Sequence, residues 1–112
     1  MQARMPLMNA LNKLFHGTPL HREKLEAYSL LRDLASEVAA GRVSDEEAEK
    51  MINGVAQTIA ALLSAQGKVM TVEEVYKRIR EAFDAEVNAQ RLAALRSELA
   101  RRIAERIKSG GF

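Results

Sequence analysis

Two four-residue signatures constrain this chain more than any other feature, Ser44-Asp45-Glu46-Glu47 and Thr71-Val72-Glu73-Glu74. In each, a hydroxyl can accept the backbone N–H three residues on, while the Glu at that position reaches back to the first residue's own N–H. Each signature therefore opens a helix. Val43 with Ala48, and Met70 with Val75, supply the hydrophobic staple that fixes the chain's entry. Upstream, Pro6 suits the first turn of a short helix on which Leu7, Leu11, Leu14 and Phe15 recur at helical spacing, with Gly17 as its stop. Thr18 is expected to cap the second helix, with Pro19 as first residue and Leu20, Ala27, Leu31, Leu34 and Val38 along one face until Gly41. The third helix runs from Ser44 to about Gln66, with Met51, Ile52, Val55, Ile59, Leu62 and Leu63 inward and Gly67 as stop. Gly54 inside it costs about 1 kcal/mol relative to Ala; it marks either the close approach of another helix or a tolerated defect.

The chain beyond Thr71 has two solutions. At about 100° per residue, Val72, Val75, Ile79 and Phe83 share one face, whereas Leu92, Leu95, Leu99, Ile103 and Ile107 form a stripe roughly opposite to it. One solution is a corner at 84–88, with Asn88 capping a fifth helix over 89–108 and Val87 stapled onto Leu92. The other is one long helix whose far half serves a second subunit. The expected fold is all-α, with four to five helices in a small orthogonal or bundle arrangement. It forms a single domain over 1–112: a basic arm and short helix (1–17), a helix (18–41), a helix (44–66) and a helix-turn-helix-like basic part (71–108).

Composition agrees with helix and removes most chemistry. The chain of 112 residues has six Gly and two Pro, too few for a many-turned β-sandwich. Its length suffices for one core without staples. The lack of Cys removes disulfides, thiolate metal sites and a Cys nucleophile. No run approaches the roughly 18 consecutive apolar residues of a spanning helix, and Asn9, Asn12 and Lys13 interrupt the only stretch resembling a signal peptide. The expectation is an intracellular protein, cytoplasmic or within a nucleoprotein particle, with no membrane partner. His16 and His21 flank the Gly17-Thr18-Pro19 corner but have too few neighbouring ligands for a metal site. No phosphate loop or nucleophile–base motif is present. The reading is non-enzymatic, with no cofactor, no metal and no small-molecule substrate.

Charge is segregated along the chain. The overall +2 combines +3 over residues 1–24, −4 over 25–50, −1 over 51–90 and +4 over 91–112. Cations near a helix C-terminus favour its dipole, so the last segment has a plain structural explanation. An acidic middle with basic ends also permits attraction between subunits. The third explanation is that Arg side chains fork onto phosphates of a nucleic-acid backbone.

The stretch over 52–102 resembles the three-helix core of winged-helix and helix-turn-helix DNA-binding domains, in particular regulators of the ferric-uptake type. The resemblance is carried by Ala60-Ala61-Leu62-Leu63 through Gly67, by Thr71-Val72-Glu73-Glu74-Val75-Tyr76-Lys77-Arg78-Ile79-Arg80, and by Val87-Asn88-Ala89-Gln90-Arg91-Leu92. It implies a recognition helix after Asn88, with Asn88, Gln90 and Arg91 at base edges, Arg96 near the backbone, and Lys77, Arg78 and Arg80 on phosphates. No strand pair comes after it to form a wing, and the Cys and His metal ligands of those regulators are missing, so metal sensing is not implied.

Together these readings give the expected function: an oligomeric protein binding double-stranded DNA, as a packaging or coat subunit or a small regulator. The residues are Arg91, Arg96, Arg101, Arg102 and Arg106, with Arg4 and Lys13 from the arm. The alternative is a protein-only helical scaffold or adaptor, in which the same Arg residues pair with a neighbour's acidic middle. Both assign homo-oligomers.

Overall fold

A computed structural model describes residues 5–110 and shows four helices with no strand among them: α1 (Pro6–Leu14), α2 (His21–Ala39), α3 (Asp45–Ala65) and α4 (Val72–Lys108). The all-α, bundle-like architecture is the expected one. Both capping boxes are formed. Ser44 Oγ accepts from the Glu47 N–H at 3.1 Å while Glu47 accepts from the Ser44 N–H at 3.2 Å. Thr71 and Glu74 repeat the exchange at 3.1 and 3.0 Å. The Thr71 backbone N–H is also the largest influence holding the Glu74 carboxyl below its ordinary range.

At the other ends, Gly41 and Gly67 take positive φ and close Schellman motifs: the N–H of Arg42 donates to the Glu37 carbonyl and that of Lys68 to the Leu63 carbonyl, each at 2.9 Å. The α1–α2 corner departs from expectation. α2 starts at His21, not beside Thr18, because the Thr18 hydroxyl turns back to donate to the Phe15 carbonyl at 2.8 Å. Thr18 thus finishes α1. A further bond from afar completes that end: Lys68 Nζ donates to the carbonyls of Lys13, Leu14 and His16 at 3.1, 2.7 and 3.1 Å. Those carbonyls have no partner within the helix, and the ammonium meets the negative end of its dipole.

α1, α2 and α3 all pack on the first half of α4. Leu7, Leu11, Leu14 and Phe15 of the α1 segment are buried as the spacing predicts, and meet Leu31, Leu34, Ile52, Ile59, Leu63, Val75, Ile79 and Phe83 in one core. Within α4, burial runs from Val75 to Val87; Val72, expected on the same inward face, is exposed in the first turn. Of the expected α3 stripe, Ile52, Ile59 and Leu63 are buried, whereas Met51 is exposed and Val55 and Leu62 are only half-buried, and Ala48, Ala56 and Ala60 complete the inward face. A Cβ added at Gly54 would meet nothing within 4 Å, so no helix of this chain approaches it closely.

The largest correction concerns the corner. No break occurs at 84–88: α4 is a single helix of 37 residues, Asn88 lies in its interior rather than at a cap, and Val87 is buried in the core instead of stapled to Leu92. The helix-turn-helix-like arrangement expected for 71–108 is therefore absent. The physical reason is local. Neither Gly nor Pro occurs between Thr71 and Ser109, and a corner would strand four N–H and four C=O groups at the new helix ends. Continuity keeps those bonds and leaves the second apolar stripe facing solvent. At about 1.5 Å per residue α4 is about 55 Å long, and it sets the long axis of a molecule of 65 × 31 × 21 Å.

Candidate functional site

The half of α4 beyond Val87 protrudes from the bundle and carries the most unusual surface of the molecule. Leu92, Leu95, Leu99, Ile103 and Ile107 are 45–66% exposed. All five fall within an arc of about 120° when residues advance by about 100° each. Isolated exposed Leu residues are ordinary, but a contiguous aliphatic stripe marks an interaction surface. The segment is held straight by pairs along its own length: Gln90 donates to Glu86 at 3.0 Å, Arg101 pairs with Glu98 and Glu105, and Arg102 pairs with Glu98 at 2.9 Å.

These pairs bear on the sequence-predicted cations. Arg101 and Arg102 are already engaged with carboxylates of their own helix. The Arg91 guanidinium turns back to the Val38 carbonyl, at 3.5 Å, and so approaches the C-terminal end of α2. Arg96 is exposed and has no hydrogen-bond or ion-pair partner among the described residues, and Arg106 lies exposed in the last turn. Asn88 is exposed in mid-helix and Gln90 is half-buried on Glu86. Neither occupies the first turn of a recognition helix.

Arg80 is structural: it bridges Glu49 at 3.0 Å and Asp84 at 3.2 Å. Lys77, Arg78 and Lys13 come together around a shallow depression between α1 and α4, interleaved with Glu74 and Glu81. Along α4, Arg78 and Arg101 stand about 35 Å apart, so the cations do not form one patch. Arg4 lies outside the described residues.

A second surface has no counterpart in the sequence reading. α2 and α3, joined as an antiparallel hairpin, leave a groove of about 840 Å³ between them. Leu30, Leu34, Met51, Gly54, Val55 and Leu62 line it, and Glu23, Glu26, Asp33 and Glu37 lie along its α2 side. Leu30 and Met51 are more than half exposed there. Glu37 is held by a two-pronged bond from Arg42, at 2.9 Å for each prong, which pulls its carboxyl below its ordinary range. Glu23, Glu26 and Asp33 make no ion pair among the described residues. The signal that could have found the groove is the surplus of apolar residues on α3: Met51, Val55 and Leu62 widen its stripe beyond what one core face accommodates.

Glu49 is likewise absent from the sequence-predicted residues. The Tyr76 hydroxyl donates to its carboxylate at 2.6–2.7 Å and Arg80 joins at 3.0 Å, tying α3 to α4. That carboxylate pushes the Tyr76 phenol above its ordinary value. No group of three His, Cys, Asp or Glu side chains placed to hold a metal ion occurs among the described residues, and no described helix is long and apolar enough to cross a membrane. No protein-family model, curated protein or solved structure matches the chain.

Proposed function

We propose that this protein is a non-enzymatic, self-assembling scaffold or adaptor subunit whose working element is the protruding half of α4. One observation carries the reading: five large aliphatic side chains lie in a row, about half exposed or more, on a stretch of helix that the other described helices leave uncovered. A polar helix would cost a monomer nothing at these positions. Fully burying a Leu or Ile is worth about 1.5–3 kcal/mol, so covering the exposed portion of all five is worth roughly 4–8 kcal/mol before the cost of association. That is enough for a reversible assembly. The test is light scattering of the purified chain, without nucleic acid, across a dilution series. Mass should rise with concentration, and Leu95→Glu combined with Leu99→Glu should abolish the rise while far-ultraviolet helicity persists. A wild-type chain that stays monomeric at every concentration refutes the reading.

The second reading is double-stranded DNA bound along the same protruding helix, inside a cell or within a nucleoprotein particle. Its support is the +4 charge over 91–112 and the unpartnered Arg96. The bond of Arg91 to Val38 and the pairing of Arg101 and Arg102 leave fewer free guanidinium groups for phosphate than the sequence offers. DNA affinity measured against salt decides it: the log–log slope should approach about −0.9 per phosphate contacted. No binding at low salt, or a flat response, removes this reading.

A further inference from the structure

The protruding helix needs a surface to cover its aliphatic stripe, and two are available: the same stripe of a second copy, or the α2–α3 groove of a second copy. The spacing of the stripe argues against the first. A left-handed coiled coil repeats its apolar positions alternately at three and four residues, which after Leu92, Leu95 and Leu99 calls for positions 102 and 106. Arg102 and Arg106 stand there, and the aliphatic residues lie instead at Ile103 and Ile107. Leu92 to Ile103 is an interval of eleven residues, a period longer than that of a left-handed seam. Two such helices side by side would bring Arg102 and Arg106 of both copies, four like charges, into one desolvated seam.

The groove answers each feature of the helix. Its α2 side, from Glu23 to Glu37, runs about 21 Å, and the stripe from Leu92 to Ile107 runs about 22 Å. The lining is aliphatic, the adjoining charges are acidic, and no Lys or Arg among the described residues lines it. Around the helix, the unpartnered Arg96 lies about 60° from Leu99, on the flank of the stripe where the unpaired Glu23, Glu26 and Asp33 beside the groove can be met. Gly54 opens the lining where a side chain would otherwise protrude, and a Cβ there meets nothing within 4 Å. The chain cannot fill its own groove this way, because α4 runs unbroken past the end of α2, with Arg91 on the Val38 carbonyl.

We infer that, resting on the assembly reading above, the protruding half of α4 from one copy docks into the acid-flanked α2–α3 groove of the next. The contact is heterologous: each copy has one donor helix and one acceptor groove. Copies therefore join head to tail, and the assembly closes into a ring or grows as an open filament according to the rotation between neighbours. Complementary charge fixes the register and rejects the tail-to-tail pairing.

A mixing experiment on the full chain tests this. Leu99→Glu disables the helix and leaves the groove; Leu30→Glu disables the groove and leaves the helix. Gly54→Leu is a second groove variant, which fills the opening while replacing a helix-breaking residue by a helix former. Each variant alone should be folded by circular dichroism and monomeric by sedimentation, with self-affinity weakened about tenfold or more. Mixing Leu99→Glu with either groove variant should restore one intact junction, giving a 1:1 dimer and nothing larger. Assembly that survives in both groove variants overturns the inference and leaves the assembly reading standing. Folded, monomeric single variants that do not combine when mixed also overturn it. A wild-type chain that never associates overturns both.

Discussion

Replacing Ala89 by Pro separates one continuous helix from two helices joined at a corner. Ala89 is exposed, so the change removes no packing. In the unbroken α4 its N–H bonds to the carbonyl of residue 85. Pro deletes that donor and drives its ring into the same carbonyl, at about 3 kcal/mol or more. Little opposes unravelling beyond this point, since buried positions of α4 end at Val87. The three ion pairs at Glu98 and Glu105 are worth about 0.2–0.5 kcal/mol each. A lone helix of this length is marginal in water. The penalty therefore exceeds the local stabilisation, and the segment unfolds without dragging the bundle with it. At concentrations where the chain is monomeric, Ala89→Pro should lose roughly a quarter of the helical circular dichroism, while the cooperative thermal transition of the bundle stays in place. Ala89→Gly, at about 1 kcal/mol, should lose visibly less. Were Asn88 a cap, residue 89 would be the first helical position, where Pro is favoured. Unchanged helicity in Ala89→Pro would thus refute the continuous helix.

Core and stripe should respond oppositely to truncation. Ile79→Ala, at a site 1% exposed, should cost about 2–5 kcal/mol in urea unfolding, whereas Leu95→Ala, at 66%, should stay within about 0.5 kcal/mol for the monomer; similar costs at both would contradict the placement of the stripe. Gly54→Ala should stabilise the monomer by about 0.5–1 kcal/mol, because the added methyl meets nothing and the helix gains propensity; a loss of stability would mean that the site is crowded. Tyr76 should ionise above its ordinary 10.0, and an ultraviolet titration of Glu49→Gln should show that value falling back, since the Glu49 carboxylate is the main cause of the rise. A raised folded value means that the stabilisation is whole below pH 10 and is lost as pH climbs through the shifted value. The wild type should accordingly lose its margin over the variant on the alkaline side only, and an identical phenol titration in the two would show the bond to be absent.

Much of the fold is legible in the sequence because it is written locally. The boxes at Ser44 and Thr71, the left-handed stops at Gly41 and Gly67, and the inward faces of α1 and α4's first half each depend on residues within a few positions of one another. The failures are of a different kind. The corner at 84–88 rests on two apolar stripes on opposite faces, and on the premise that one chain must bury both. That premise fails when the second stripe is left uncovered. Lys68 closing α1 from more than fifty residues away, Arg91 turning to Val38, and Glu49 gathering Tyr76 and Arg80 have no local signature, since each pair meets only through packing.

The candidate surfaces divide along the same line. The aliphatic stripe over 92–107 and its Arg neighbours are sequence properties, fixed by residue type and helical period. The sequence alone also determined an all-helical chain and a segregated charge. Only the tertiary structure decided that α4 continues beyond its last core residue, that the stripe has no cover among the described residues, and that Glu23, Glu26 and Asp33 adjoin a groove of matching length. Those outcomes come from how α1, α2 and α3 share the first half of α4 between them. Once its core-facing residues down to Val87 are enclosed, α4 has passed beyond the other three helices, and backbone hydrogen bonding carries it straight on.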